Sequence, residues 1–201
     1  MPALPAGHPP GGSQKGATVV ALIIVVVVVV LLVGLVWLSF NGIVKMRNQV
    51  DNGWSQIDVQ IKRRADLIPN LVETVKGYAS HERGTLEAVI QARSASVNAT
   101  TPAEAAAAEG PITEALGRLF ALQEQYPNLK ADVNFQQLQQ EITGTEDRIA
   151  YARQFYNDSV MNYHNKIDTF PGMLVAKLGN FPHRELFEAA EADRAVPRVQ
   201  F

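Results

Sequence analysis

From Ala17 to Phe40 the sequence runs 24 residues without a charged side chain and includes six consecutive valines, Val25 to Val30. At about 1.5 Å per residue a helix of that length reaches roughly 36 Å, enough to cross a bilayer whose hydrocarbon core is about 30 Å thick. Valine is a poor helix former in water, but lipid offers the backbone no other partner, so a helix is the conformation that satisfies the run. Trp37 suits an aromatic anchor near one membrane boundary. A cleaved signal peptide competes for this pattern, yet its apolar core is usually about 7 to 15 residues and ends in a small-x-small site, and neither holds. The expectation is one membrane-spanning helix over residues 17–42, with Ala17, Val25, Val30, Trp37 and Phe40 marking the anchor.

Subtracting that span and a short tail from 201 residues leaves one soluble domain with a real core. Residues 1–16 are half Pro and Gly with little apolar surface to bury, and are expected to be disordered. A net charge of -2, with acids and bases interspersed, lacks the footprint of a nucleic-acid binder. The absence of cysteine removes disulfides, thiolate nucleophiles and zinc-thiolate sites.

Beyond the span the pattern turns helical. Arg47, Val50, Trp54, Ile57 and Ile61 step by 3, 4, 3 and 4, one face of a helix continuing out of the bilayer. The charged stretch Lys62 to Asp66 is expected to reverse the chain, Asp66 capping the next helix and Pro69 falling in its first turn, where a missing N–H does little harm. That second helix carries Ile68, Val72, Val75, Ala79, Glu82, Leu86, Val89 and Arg93 on one seam and should run to about Val97. TPAEAAAAEG reads as a loop whose alanines are equally able to extend a helix. Pro111 opens a third, shorter helix with Ile112, Leu116, Leu119, Phe120 and Tyr126, ended by Pro127.

The fourth helix has the clearest signal. Asn134 and Gln137 resemble a capping box, and Phe135, Leu138, Ile142, Thr145, Ile149, Ala152, Tyr156, Val160, Tyr163, Ile167 and Phe170 form one seam. Two adjoining steps of 4 at Ala152, Tyr156 and Val160 make a stutter, which locally unwinds a left-handed supercoil. Phe170-Pro171-Gly172 ends the helix, and MLVAKLGNF supplies apolar side chains to cover an open bundle end. No strand-like alternation appears. The fold expected is all-α: an N-terminal transmembrane helix leading into a long antiparallel bundle of three to four helices over residues 43–180, with a tail over 181–201 packing on or trailing from it.

Three blocks, WSQIDVQIKRRADLIPNLVETVKGYASHE, ALGRLFALQEQYPNLKADVNFQQLQQEI and TEDRIAYARQFYNDSVMNYHNKIDTFPG, resemble in order the LemA family of bacterial membrane proteins. The likeness extends from the end of the apolar run to the C-terminal PRVQF, leaving out the Pro/Gly-rich tail and the alanines after Pro102. It implies a helical bundle behind a membrane helix and a scaffold or adaptor role. It brings no catalytic residues with it.

Individual polar residues support no chemistry by spacing. His81 and Glu82 begin like a zincin motif, but Thr85 stands where the second histidine belongs, and the remaining histidines are scattered at His8, His164 and His183. No metal site and no cofactor are expected. Asp58, Asp66 and Glu73 read as a helix face, a cap and an exposed position rather than acid–base partners. No nucleophile elbow or phosphate loop occurs. The triplets at Asn98 and Asn157 match glycosylation acceptors, a pattern frequent by chance. Lys62 to Arg64 read as a solvated helix end, roughly 33 Å from Phe40 at about 1.5 Å per residue and too far for lipid headgroups.

Charged residues on apolar seams say more. Arg47 and Arg93 are expected to lie along the bundle edge and reach water. Glu82 has a shorter stem, and its phase predicts a position held by a basic or hydrogen-bonding group on a facing helix. Glu82 and Arg93 are thus the candidate buried polar or partner site.

These features predict a non-enzymatic, membrane-anchored scaffold or adaptor, touching lipid through one span and presenting a rod-like bundle to protein partners or to copies of itself. The alternative is a membrane-coupled sensor binding a ligand between helices. A continuously filled core favours the first, a cavity around Glu82 the second. Lys15 precedes the span, whereas Lys45, Arg47 and the Lys62 cluster follow it, so the positive-inside bias puts the N-terminus outside and the bundle in the cytoplasm.

Overall fold

The structure, a computed structural model, describes residues 13–188. Its elements are α1 (Ser13–Tyr78), α2 (Arg83–Asn98), α3 (Pro102–Ala121), a 3-10 turn (Leu122–Glu124), α4 (Pro127–Lys130), α5 (Val133–Asp168) and α6 (Gly172–Gly179). No strand occurs among the described residues, and the fold is the all-α bundle behind an apolar N-terminal helix that the sequence predicts. Of the segment expected to be disordered, residues 1–12 lie outside the described residues, while Ser13 already belongs to α1.

The main correction concerns α1, which passes through Lys62–Asp66 without reversing. The inward rhythm of Ile57 and Ile61 continues at Arg64, Ala65, Ile68, Leu71 and Val75, all buried. Lys62 and Arg63 face out, so the basic run is two surface charges followed by one that points into the core. Asp66 is consequently an exposed mid-helix residue rather than a cap, and Pro69 sits inside the helix. The reversal comes at the turn between Tyr78 and Arg83. Glu82 lies in that turn at the N-cap position of α2, so the seam drawn through it belongs to two helices.

Two further boundaries differ from expectation. The alanines after Pro102 form the first turns of α3, because Thr101 and Glu104 make a reciprocal capping box with both bonds at 3.2 Å. Pro111 therefore falls within α3, and Pro127 starts the short α4. For α5 the cap is Asp132, whose carboxylate accepts the Phe135 amide at 2.8 Å, rather than Asn134.

Helices α1 and α5 run antiparallel along their full shared length, and α2 and α3 form a second hairpin beside the half farther from the apolar segment. That distal half buries Ile68, Leu71, Val75, Val89, Ile112, Leu119, Phe135 and Ile142 in one cluster. In the proximal half Ile43, Val50, Ile57, Ile149, Tyr156, Tyr163 and Ile167 form another, completed by Val175 and Ala176 of α6 and by Phe187. Where the α5 stutter falls, Gly53 lets the helices close up: a Cβ there would stand 3.2 Å from Tyr156 Cα. Of the α5 seam, Leu138 is only half-buried and Phe170, beyond the helix end, is exposed.

Residues 181–188 have no regular structure but lie along the α1–α5 pair, beside the first turns of α3, whose Ala105 and Ala106 share the core cluster with Phe187. Tyr163 and Tyr156 donate their hydroxyls to the carbonyls of Pro182 (2.8 Å) and Glu185 (2.7 Å). Asn157 exchanges two bonds with the Phe187 main chain, at 2.9 and 3.1 Å. Burial pushes both tyrosine hydroxyls above the usual phenol range. The rest of the predicted tail lies outside the described residues.

Candidate functional site

Up to Leu38 the large apolar side chains of α1 are left uncovered by the rest of the chain, and contact begins at Ser39 and Phe40. Every large apolar side chain from Val19 to Phe40 is exposed, including Val25, Val30 and Trp37. A core helix of a soluble domain of this length would bury much of that surface, and water would not tolerate so large a patch. Among the described residues there is thus one helix long and apolar enough to cross a membrane.

Between the two apolar clusters lies a charged layer. Arg64 of α1 is fully buried, and its guanidinium grips Glu109 of α3 with both terminal nitrogens, Nη2 to Oε1 at 2.5 Å and Nη1 to Oε2 at 3.2 Å. Nη1 also donates to Glu146 of α5 at 2.5 Å, and the Thr113 hydroxyl donates to the other Glu146 oxygen at 3.1 Å. Three helices are thereby tied at one level. The planar fork of arginine suits such a bidentate grip. Sequence reasoning missed this group. Its signal was Arg64 falling at the next inward step after Ile61.

Arg93 lies along the contact between α2 and α1. It is half-buried, and its Nε donates to the main-chain carbonyl of Ala65 at 2.6 Å. Arg47 is half-buried, with its guanidinium 5.8 Å over the Phe181 ring. Glu82 is half-buried in the α1–α2 turn, where it accepts the Tyr126 hydroxyl at 3.2 Å. Burial, together with that bond and the Glu82 charge, raises the Tyr126 hydroxyl above its ordinary range. The structure therefore leaves Glu82 and Arg93 apart, on separate partners. Asp58 pairs with Lys62 at 2.7 Å, and Glu73 is exposed.

His164 and His183 come together beside the C-terminal segment, with ring centroids 4.7 Å apart, and His183 contacts Asp168 at 3.2 Å. His164 Nε2 accepts the Arg184 amide at 3.0 Å. His81 is exposed and takes no part. Among the described residues no three metal-ligand side chains gather. The principal concavities are open grooves. One of about 700 Å³ runs between α1 and α5, lined by Asn52, Gln56, Val59, Asp147, Arg148 and Tyr151.

Comparison with known proteins places this architecture. The LemA family model matches residues 53–201, the bundle and C-terminal segment. Protein LemA of Metamycoplasma hominis is 31% identical over 158 residues, covering 77% of this chain and 71% of that protein. Magnetosome protein MamQ of Magnetospirillum gryphiswaldense is 26% identical over 181 residues, covering 77% of this chain and 66% of the relative. Magnetosome protein MamQ 2 of Paramagnetospirillum magneticum matches with the same identity and coverage. None of these relatives is named for an enzymatic activity. The matched blocks are those that build the α1–α5 pair and its α2–α3 hairpin, and the chain belongs to the LemA family.

Proposed function

We propose that this protein is a non-enzymatic, membrane-anchored scaffold or adaptor that holds a helical rod at a fixed place on the cytoplasmic face and presents it to protein partners, with no role for nucleic acid. The observation that carries the reading is the single unbroken helix Ser13–Tyr78, which contains the apolar segment and also forms the spine of the bundle. A rigid connection of that kind transmits position rather than chemistry. Exposed Val59 and Tyr151 line the α1–α5 groove, and exposed Phe155 follows Tyr151 one turn on along α5, a face of the sort protein interfaces favour. What supports scaffold over ligand sensor is that Glu82 lines none of the principal grooves.

The test is photo-crosslinking in the native membrane from residues placed at Val59 and Tyr151. A small set of discrete protein adducts is expected; smears of lipid and solvent products alone would overturn the reading. A reporter fused after Phe201 checks orientation. Activity of a periplasm-dependent reporter would put the bundle on the other side.

A further inference from the structure

We infer that α6 is a second membrane contact: Phe170, Met173, Leu174 and Leu178 rest in the interfacial layer of the bilayer that α1 crosses, an inference that rests on α1 being a membrane span. This short helix carries large apolar residues on its outward as well as its inward face, with Lys177 its one charged residue. Val175 and Ala176 are buried in the proximal core, while Met173, Leu174 and Leu178 are exposed at 50%, 54% and 87%, and Phe170, just before the helix, at 75%. A surface helix facing water normally places polar residues outward, so this outward face calls for an apolar or interfacial surrounding.

Its height on α1 identifies that surrounding. Gly172 fits so tightly against the Lys166 carbonyl that a Cβ would collide with it, and the same Cβ would stand 3.9 Å from Ser39 Oγ. Just after α6, the Phe181 ring packs edge-on against Phe40, with centroids 5.5 Å apart. Ser39 and Phe40 mark the place where the continuous exposed apolar surface of α1 ends, and the next large exposed apolar residue on α1 is Val59. The outward face of α6 is therefore continuous with the span at its boundary. Exposed Lys45 and Lys177, with Lys166 against Gly42, put cations at the level where phosphate headgroups lie. Lipid is the occupant this position favours, because the exposed side chains of α6 stand at the level where the apolar segment of α1 ends. Anchored at α1 and α6 together, the rod is restrained in tilt and rotation.

Because the chain contains no cysteine, single cysteines report on their sites without background. A nitroxide at Leu178→Cys in the full-length protein, reconstituted in vesicles of zwitterionic and anionic phospholipid, is read by its collisions with oxygen and with a water-soluble nickel chelate. The oxygen-to-nickel ratio is expected to be severalfold above that of a label at Tyr151→Cys and below that at Val30→Cys. A water-like ratio at Val30 would mean that the span reading itself fails. A lipid-like ratio at Val30 with residue 178 matching residue 151 would overturn the α6 contact alone. Spin–spin broadening at 178 that vanishes on dilution with unlabelled protein would put a second copy in place of lipid and also overturn it. With the label moved to Phe170→Cys, adding Leu174→Asp and Leu178→Asp is expected to bring the ratio down to the aqueous value; an unchanged ratio would count against the proposal.

Discussion

Arg93 donates from Nε to the carbonyl of Ala65 at 2.6 Å, and Ala65 is the residue four positions before Pro69, whose ring nitrogen has no hydrogen to give. In a regular helix the amide at position 69 would occupy that carbonyl. Arg93, arriving from α2, replaces the missing donor. Losing it should leave a poorly solvated acceptor, a cost of about 1–3 kcal/mol. Arg93→Met is expected to destabilise by that amount in the natural background and by under about 1 kcal/mol when Pro69→Ala has restored an amide donor. Urea denaturation of the four proteins of this cycle in detergent measures it; equal losses in both backgrounds would uncouple the two residues.

The charged layer predicts a second asymmetry. Arg64→Met would leave Glu109 and Glu146 facing each other without their cation, a change typically costing about 3–5 kcal/mol for a buried pair. Replacing the group as a whole, by Arg64→Met with Glu109→Leu and Glu146→Gln, should recover most of the loss, since apolar packing often matches a buried ion group. Denaturation midpoints of the single and triple variants decide this. A negligible shift for Arg64→Met would deny the layer any structural weight.

How much of this was legible depends on what each residue pairs with. The α5 seam is written in apolar residues at 3–4 spacing, and Ile142, Ile149, Tyr156, Val160, Tyr163 and Ile167 are buried where that rhythm puts them. Arg64 was not legible as a core residue, because a charge at an inward position reads as surface unless its partners are known. Those partners stand 45 and 82 residues away, the nearer one in an alanine-rich stretch that resembled a loop. Misplacing the reversal at Lys62–Asp66 then moved Pro69 and Glu82 into the wrong elements. Arg93 bonds a main-chain carbonyl, which no side-chain pattern announces, although Pro69 implies an acceptor in want of a donor at Ala65. For α6 the sequence showed apolar residues available for cover, but not that one face would remain uncovered.

The bundle should be separable from its anchor. Ile43 is the first large apolar residue of α1 that the chain itself buries, and from there the cores close on their own side chains. Residues 43–201 are expected to give a soluble, strongly helical protein that unfolds cooperatively. Recovery only as aggregate, or a largely β circular-dichroism spectrum, would sink the bundle as an independent unit.

The C-terminal segment should loosen in acid through His164. Burial, and next the neighbouring His183, hold this imidazole below its usual range, against a raising influence from the Asp168 charge. The folded state therefore binds fewer protons than the unfolded one near neutrality. The corresponding stability is complete above the ordinary imidazole value of about 6.5 and is lost as pH falls through the depressed folded value. Structurally, a protonated Nε2 has no lone pair left for the Arg184 amide, whereas the tyrosine hydroxyls on Pro182 and Glu185 are indifferent to that proton. The loosening should be local. Amide exchange, corrected for intrinsic rates, is expected to show the Arg184 amide losing protection as pH falls below about 6.5 while core amides of α5 keep theirs. His164→Asn, which offers an acceptor that does not titrate, should flatten that profile. An unchanged profile in the variant would overturn the assignment of the pH response to His164.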